Sequence, residues 1–512
     1  MMFFKRILRA ITSRAFISSL FIIVEFVLLF AIQKYLNDYI VAFYVFSYVI
    51  SVVTLLLIIN SNTIPETKLP WMLIILVFQP FGALLYIILG RRLITLKEKK
   101  FFKKVLEYNK KLLAVDNKVL EQLKETDTLA YQKALSLTTD TYNSLCDNTT
   151  CKYYKSGEDF YETLIIELKN AKKYIFMEYF IVEDGVMWKE ILDVLKEKVK
   201  EGVEVRFLYD DIGCLFTLPS NYYKKLNSYG IKANCFAKFS GRANSSHNNR
   251  SHRKITIIDG KVAFTGGINL ADEYINKNQR LGYWKDSVIE LYGKGVFELL
   301  KIFIFDWDLN NNEVTQVDDY YTVSDDIYND GYYVPFGTGP RPIYKPNIAE
   351  NMYLNLINQA KNYVYITTPY LIIDNELTNA LINASKRGVN VVLITPHIPD
   401  KKIVYMLTKN AYIPLINAGV KIYEFTPGFM HAKNFMCDDL YAVCGTINFD
   451  YRSLIHHYED AVWMYKSSAI KDMKEDFEAT LKISTRQTKE TSYQNALIRL
   501  FVGLLKVISP FF

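Results

Sequence analysis

Hydrophobic and polar positions divide this chain into two regimes. Near the N-terminus apolar residues run on almost unbroken over 16–33, 40–60 and 71–89. Each run approaches the roughly 20 residues that let a helix cross the hydrocarbon core of a bilayer. Beyond residue 150 the runs are short. Strand-like stretches at 174–179, 203–208, 364–367 and 389–394 alternate with stretches of helical spacing such as 188–200 and 376–386. That alternation predicts sheets layered against helices. The chain is therefore expected to comprise a membrane anchor (1–92), a basic helical linker beside the membrane (93–150), two α/β units (151–320 and 321–490) and an apolar amphipathic tail (491–512). The Asp- and Tyr-rich stretch 317–333 is the expected joint between the units.

Charge sharpens the picture at the anchor. Lys5, Arg6, Arg9 and Arg14 precede the first run, and Arg91, Arg92, Lys97, Lys99 and Lys100 follow the third. Both flanks are expected on the cytoplasmic side, where Lys and Arg accumulate. Three full spans would put them on opposite sides, so one run is expected to be interfacial or re-entrant. Two fit: the first contains Glu25, and the third is interrupted by Pro80 and Gly82. From Arg91 to Lys124 cations mix with leucines at helical spacing, a pattern that suits an anionic lipid surface or a solvated connecting helix.

Inside the α/β region one pattern occurs twice: His252, Lys254 and Asp259, then His431, Lys433 and Asp438. The chain has only 6 histidines, and two of them head these copies. Each copy runs on into a small-residue turn and an Asn, as Gly266-Gly267-Ile268-Asn269 and Gly445-Thr446-Ile447-Asn448, so the repeat covers about eighteen positions. The first copy reads as a β-hairpin turning at Asp259-Gly260, and the second turns at Asp438-Asp439. On a strand, residues i and i+2 share a face. His252 and Lys254 therefore project together while Ile255 and Ile257 enter the core, giving a half-site for one phosphate. Two such half-sites facing each other would flank a phosphorus atom with imidazoles and place a lysine on each side of its non-bridging oxygens. One imidazole can attack while the other protonates the leaving oxygen. The residues alone allow either assignment.

At this point the chain resembles the phospholipase D superfamily and, within it, the bacterial cardiolipin synthases. The resemblance covers nearly the whole chain and rests on segments in the family's order: Met177-Glu-Tyr-Phe180 with Asp184-Gly185, Leu208-Tyr-Asp-Asp-Ile-Gly213, Gly267 to Tyr274, Tyr283-Trp-Lys-Asp286, Thr367-Thr-Pro-Tyr370, and Asn448 to Ser453. It departs at His456-His457-Tyr458-Glu459, where the family usually carries an apolar residue and Asn before its aromatic and Glu. The resemblance implies two similar α/β sandwich units forming one pseudo-two-fold catalytic core behind transmembrane helices. It implies His252 as nucleophile and His431 as general acid, then base. Glu459, with Asp460 as fallback, would hold His252, and Asp286 would hold His431. Asp259 and Asp438 are then left to turn and hydrogen-bond work, while Asn269 and Asn448 join Lys254 and Lys433 on the phosphate oxygens.

The implied reaction moves a phosphatidyl group from one phosphatidylglycerol to another with release of glycerol. It calls for no metal and no cofactor, and its partners are phosphatidylglycerol and anionic membrane lipids. A hydrolase of the phospholipase D type, or a transferase to another alcohol such as serine, would use the same residues. An inactive membrane scaffold is a different class, disfavoured because both motifs are intact; nucleic acid as partner is disfavoured by the apolar runs. A Gly-rich phosphate loop is absent from the sequence. The 6 cysteines show no Cys-x-x-Cys spacing, so Cys437 and Cys444 are expected to be core thiols. His247, His397, His456 and His457 are expected in polar loops or behind the site. The net charge of +7 is modest and the 50% hydrophobic content high, in keeping with a membrane-bound enzyme on the cytoplasmic face.

Overall fold

The computed structural model describes residues 23–24, 27, 40–61, 63–79, 81–90, 103–104, 116–238, 249–322, 328–341, 343–492 and 495–511. Most of the first apolar run, most of the basic stretch after Arg91, and His247 lie outside the described residues. The chain forms two compact units, one of 1–94, 239–247 and 506–511, the other of 95–238 and 248–505 with Phe512.

The larger unit is built on two mixed sheets of the same plan. In the first, β2 (Tyr174–Tyr179), β3 (Glu204–Asp210) and β4 (Lys232–Phe236) run parallel, and β5 (Lys254–Ile258), β6 (Val262–Gly266), β8 (Val288–Gly293) and β1 (Thr149–Tyr154) continue antiparallel, in the order β1-β8-β6-β5-β2-β3-β4. In the second, β10 (Tyr363–Thr367), β12 (Asn390–Pro396) and β13 (Lys421–Phe425) take the parallel places. There β15 (Asn434–Cys437), β16 (Tyr441–Gly445), β18 (Glu459–Tyr465) and β9 (Tyr332–Thr338) take the antiparallel ones, and β19 (Ser484–Arg486) is added at the edge. The inner parallel strands β2 and β12 are buried almost throughout, on both faces, because helices cover them, whereas β4 and β13 nearer the edges are partly exposed. One such helix, α1 (Gly157–Asn170), starts at Ser156, whose hydroxyl accepts from Asp159 N–H. Another, α2 (Val186–Lys200), buries Met187, Trp188, Ile191, Leu192 and Leu195 at helical spacing.

The two sheets share a core. Phe176, Ile255, Ile257, Ile289 and Leu291 of the first sheet belong to one apolar cluster with Val364, Ile366, Phe435, Val443 and Val462 of the second. All six cysteines are buried and free; Cys444 is paired across the ladder with Asn434, and Cys437 with Tyr441.

In the smaller unit, the second apolar run forms a 20-residue helix, Ile40–Ile59. Among the described residues it is the one helix long and apolar enough to cross a membrane, over Val41–Ile59. Its apolar side chains, Val41, Phe46, Tyr48 and Leu56 among them, are exposed, and its Ser47 and Thr54 hydroxyls return to the carbonyls of Phe43 and Ile50, which satisfies them without water. The third run does not make one span. It forms a helix over Pro65–Val77, then a short turn of helix over Phe81–Leu85. Gly82 permits that return, since a Cβ there would lie 2.4 Å from Ile74 O. Near the C-terminus the tail forms a helix over Ala496–Ile508.

Candidate active site

The two hairpins of the repeat carry the chemistry. Asp259 and Gly260 turn the first with positive φ, and Asp438 and Asp439 turn the second. Each motif aspartate also clamps a strand start: Asp259 accepts from Lys172, Lys173 and Tyr174 N–H at 2.8, 2.7 and 2.9 Å, and Asp438 from Lys361, Asn362 and Tyr363 N–H at 2.8, 2.7 and 3.0 Å. These carboxylates hold the hairpins to the sheets rather than touching the imidazoles.

Each histidine is delivered by a short backbone bridge between the halves. Ser251 bridges Tyr458, and His252 N–H donates to Tyr458 O at 2.8 Å. On the other side β14 (Gly428–Met430) pairs in parallel with β7 (Tyr283–Lys285), and His431 N–H donates to Lys285 O at 2.7 Å. Each imidazole thereby meets a carboxylate of the other half. Glu459 accepts from His252 Nδ1 at 3.0 and 2.9 Å, and Asp286 from His431 Nδ1 at 2.6 Å. An Nδ1–H so held leaves the Nε2 lone pair free. Thr446 Oγ1 donates to Glu459 Oε2 at 2.5 Å. Gly267 makes room for Asp286, because a Cβ there would lie 2.0 Å from Asp286 Oδ1.

The lysines fold back onto their own motifs. Lys254 Nζ donates to His252 O at 2.5 Å, and Lys433 Nζ contacts His431 Nδ1 at 2.8 Å and donates to its carbonyl oxygen. All four side chains are buried. Burial pulls Lys254 down to about 7 and Lys433 down to about 8. It also holds the imidazoles neutral, His252 down to about 3 and His431 down to about 4, against the pull of Glu459 and Asp286. The two carboxylates stay ionised: burial pushes them up, but the adjoining histidines and hydrogen-bond donors hold both below the usual range. The half-sites feel each other, since Lys433 contributes to lowering Lys254, and Lys254 to lowering His431.

The asparagines differ. Asn269 Nδ2 donates to Tyr274 Oη at 2.6 Å and its Oδ1 accepts from Ile181 N–H, whereas Asn448 Oδ1 is buried without a hydrogen-bond partner among the described residues. Aromatic rings wall the site: Phe180 stands 5.0 Å from the His252 ring, and Tyr274, Trp284 and Phe429 stand 5.5, 5.1 and 5.7 Å from that of His431. The conspicuous segments before the first motif act as its frame. Asp210 pairs with Arg250 and accepts from Ser251 N–H at 3.1 Å, and Glu178 accepts from Ser251 Oγ at 2.5 Å.

Two further groups stand at the site. Asp460, the fallback partner, accepts instead from Thr265 Oγ1 at 2.5 Å, and burial pushes it up to about 7. His457 lies beside His252, ring centroids 5.6 Å apart. The signal was present: residues 457 and 459 share a face of an extended chain.

A duplicated α/β core with a histidine, a lysine and a turn aspartate from each half is the arrangement of the phospholipase D superfamily. The chain matches the family described as cardiolipin synthase, PLD-like domain, over 164–293 and 353–481, and the phospholipase D-nuclease N-terminal family over 49–91. It is 42% identical to an uncharacterized protein of Streptococcus mutans over 89% of this chain and 99% of that protein. It is 31% identical to a protein named cardiolipin synthase from Halalkalibacterium halodurans, over 89% and 91% of the two chains. The fold is similar to phosphatidylserine synthase of Haemophilus influenzae Rd KW20, with TM-score 0.53 and 14% identity over 70% of this chain and 94% of that one. The chain belongs to the cardiolipin synthase-like family of the phospholipase D superfamily, and its class of activity is phosphatidyl transfer.

Proposed function

We propose that this chain is a cardiolipin synthase that uses phosphatidylglycerol as both donor and acceptor. His252 Nε2 attacks the phosphorus of the first lipid, the P–N bond forms, and the P–O bond to glycerol breaks with a proton supplied by His431. His431 then takes the proton from the headgroup hydroxyl of a second phosphatidylglycerol as that oxygen attacks phosphorus and the P–N bond breaks. One phosphodiester replaces another, so no nucleotide is consumed. The observation that carries this reading is the crossed pairing, His252 on Glu459 and His431 on Asp286, which gives two oriented imidazoles in one buried site.

Electrostatics supports the division of labour. Neutral His252 is ready to attack. His431 is neutral at rest, and the arriving phosphodiester anion together with Asp286 raises its basicity so that it can carry the proton to the leaving oxygen. Lys254, Lys433 and Asn448 face the charge of the five-coordinate transition state, with Asn269 behind them. The aromatic walls disfavour water, which would otherwise take the same intermediate. The relatives named cardiolipin synthase support the acceptor, and the exposed apolar helix Ile40–Ile59 supports anchoring beside the lipid substrate. With its basic flanks we place the anchor as multi-pass and the catalytic unit on the cytoplasmic face.

Purified protein given phosphatidylglycerol alone should yield cardiolipin and free glycerol by mass spectrometry, and should do so in EDTA, since fixed lysines and amides supply the charge stabilisation. Phosphatidic acid as main product would make it a hydrolase with the same catalytic residues. Loss of turnover with chelator, restored by a divalent ion, would sink the mechanism.

A further inference from the structure

Glu459 is approached by a third imidazole. His457 is 7% exposed, its Nδ1 stands 3.6 Å from Glu459 Oε1, and neither ring nitrogen has a hydrogen-bond partner among the described residues. Buried polar atoms are normally paired, so a ring whose Nδ1 only approaches Glu459 and whose Nε2 has no hydrogen-bond partner among the described residues leaves room for a ligand. One ligand atom each of His252, His457 and Glu459 lies within 4.8 Å of the other two. The carboxylates of Glu459, Asp210 and Asp450 all lie within electrostatic reach of His457; Arg250 neutralises Asp210, and Lys254 adds positive charge on the His252 side.

We propose that His252, His457 and Glu459 bind a borderline divalent cation, Zn²⁺ above all, and that its binding shuts the enzyme off. Two imidazole nitrogens and a carboxylate oxygen are a donor set such ions favour, with a fourth position open to water or a phosphate oxygen. Ligand atoms on tetrahedral zinc stand roughly 3.3 Å apart, close to the 3.6 Å already separating His457 from Glu459. Occupancy disables His252 through either nitrogen: Nε2 is the attacking atom, and Nδ1 is the one Glu459 orients. A ligating nitrogen carries no proton, so protons compete and binding strengthens as pH rises. The site stands on geometry, whereas the inhibition rests on His252 being the nucleophile of the proposed reaction. The other half-site has no such third imidazole among the described residues.

The test uses the full-length protein in detergent, stripped with EDTA and titrated with Zn²⁺, reading bound metal and lipid transfer in parallel, with Co²⁺ as spectroscopic substitute. One Zn²⁺ per chain is expected, transfer falling about tenfold or more as it fills and returning with EDTA. His457→Asn and His457→Gln should weaken Zn²⁺ binding roughly 100-fold or more, because a direct ligand outweighs an outer-shell partner. Measured against their own metal-free rates, both should keep transferring at Zn²⁺ levels that silence the natural protein. His397→Asn, at an exposed histidine, should leave binding as it was. Unchanged Zn²⁺ affinity in the His457 variants overturns the site, and an octahedral Co²⁺ spectrum in the natural protein overturns it whether or not the variants fold. Binding that depends on His457 yet leaves transfer untouched overturns the inhibition, while the nucleophile's role is tested separately by labelling of the His252→Ala protein.

Discussion

His252 and His431 head copies of one motif, yet they are embedded differently. Both oxygens of Glu459 straddle His252 Nδ1, and the same carboxylate takes the Thr446 hydroxyl and faces His457. His431 meets a single oxygen of Asp286 at 2.6 Å, has Lys433 Nζ at 2.8 Å, and sits among Tyr274, Trp284 and Phe429. One half thus shares a carboxylate among several side chains, whereas in the other Asp286 gives one oxygen to the His431 ring and the other to Ser287 N–H, with Lys433 beside the ring. On the proposed roles this division is useful. A nucleophile needs a fixed tautomer throughout, which a bifurcated carboxylate provides. An acid that later acts as base needs to gain and lose a proton, which Asp286 raising and Lys433 lowering its basicity make easier, although Glu459 and Lys254 oppose each other on His252 in the same way.

Breaking the halves separately is the sharpest way to test that difference. Removing either imidazole should cost most, roughly 10⁴-fold to 10⁶-fold in turnover, but the two losses should differ in kind: His431→Ala should still accumulate labelled phosphatidyl-enzyme on denaturing gels, and His252→Ala none. Label on the His252→Ala protein alone would exchange the roles. Next come the orienting carboxylates. Glu459→Gln and Asp286→Asn should each lower kcat by roughly 10²-fold to 10⁴-fold, with labelling lost in the first and retained in the second; equal labelling would show that the halves are equivalent after all.

The pH dependence should be smaller. Lys254 and Lys433, lowered to about 7 and about 8, are protonated below those values and lose charge above them, so kcat/KM should fall as pH rises through 7–8. The acid limb should lie near 3, where the nucleophile His252 protonates. Bound phosphodiester favours the charged lysines, so the alkaline limb should move up in kcat. Lys254→Arg, permanently charged, should flatten the lower part of that limb; an unchanged profile would remove Lys254 from it. Smallest should be the asparagines. Asn448→Ala should cost about 10²-fold, as for a lost oxyanion donor, and Asn269→Ala about tenfold, because its amide is already engaged with Tyr274. Equal losses would make the two halves alike at this position.

Much of the fold was legible because its signals are local. The hairpins at Asp259-Gly260 and Asp438-Asp439 follow from turn chemistry, and the buried parallel strands from short apolar runs. The second apolar run forms the expected long helix, while the third breaks after Val77, near Pro80 and Gly82, where helix continuation is costly and a close return needs glycine. The sequence puts His457 only in a polar loop or behind the site, because its meaning depends on what faces it, and the facing ring arrives from residue 252.

The sequence by itself determined the duplication, the turns and the long apolar N-terminal helix, since each depends on neighbours a few positions apart; His252, His431 and Lys433 lie just outside the strands on which their spacing would set them. The resemblance already implies Glu459 for His252 and Asp286 for His431, and those hydrogen bonds are present; only the tertiary structure decided that Asp460 turns to Thr265 and that a third buried imidazole, His457, faces Glu459 in the first half-site. Those relations join residues up to 207 positions apart. They are created where the two sheets share a core, and burial there, rather than residue identity, makes two lysines weak enough cations and two histidines neutral enough to work together.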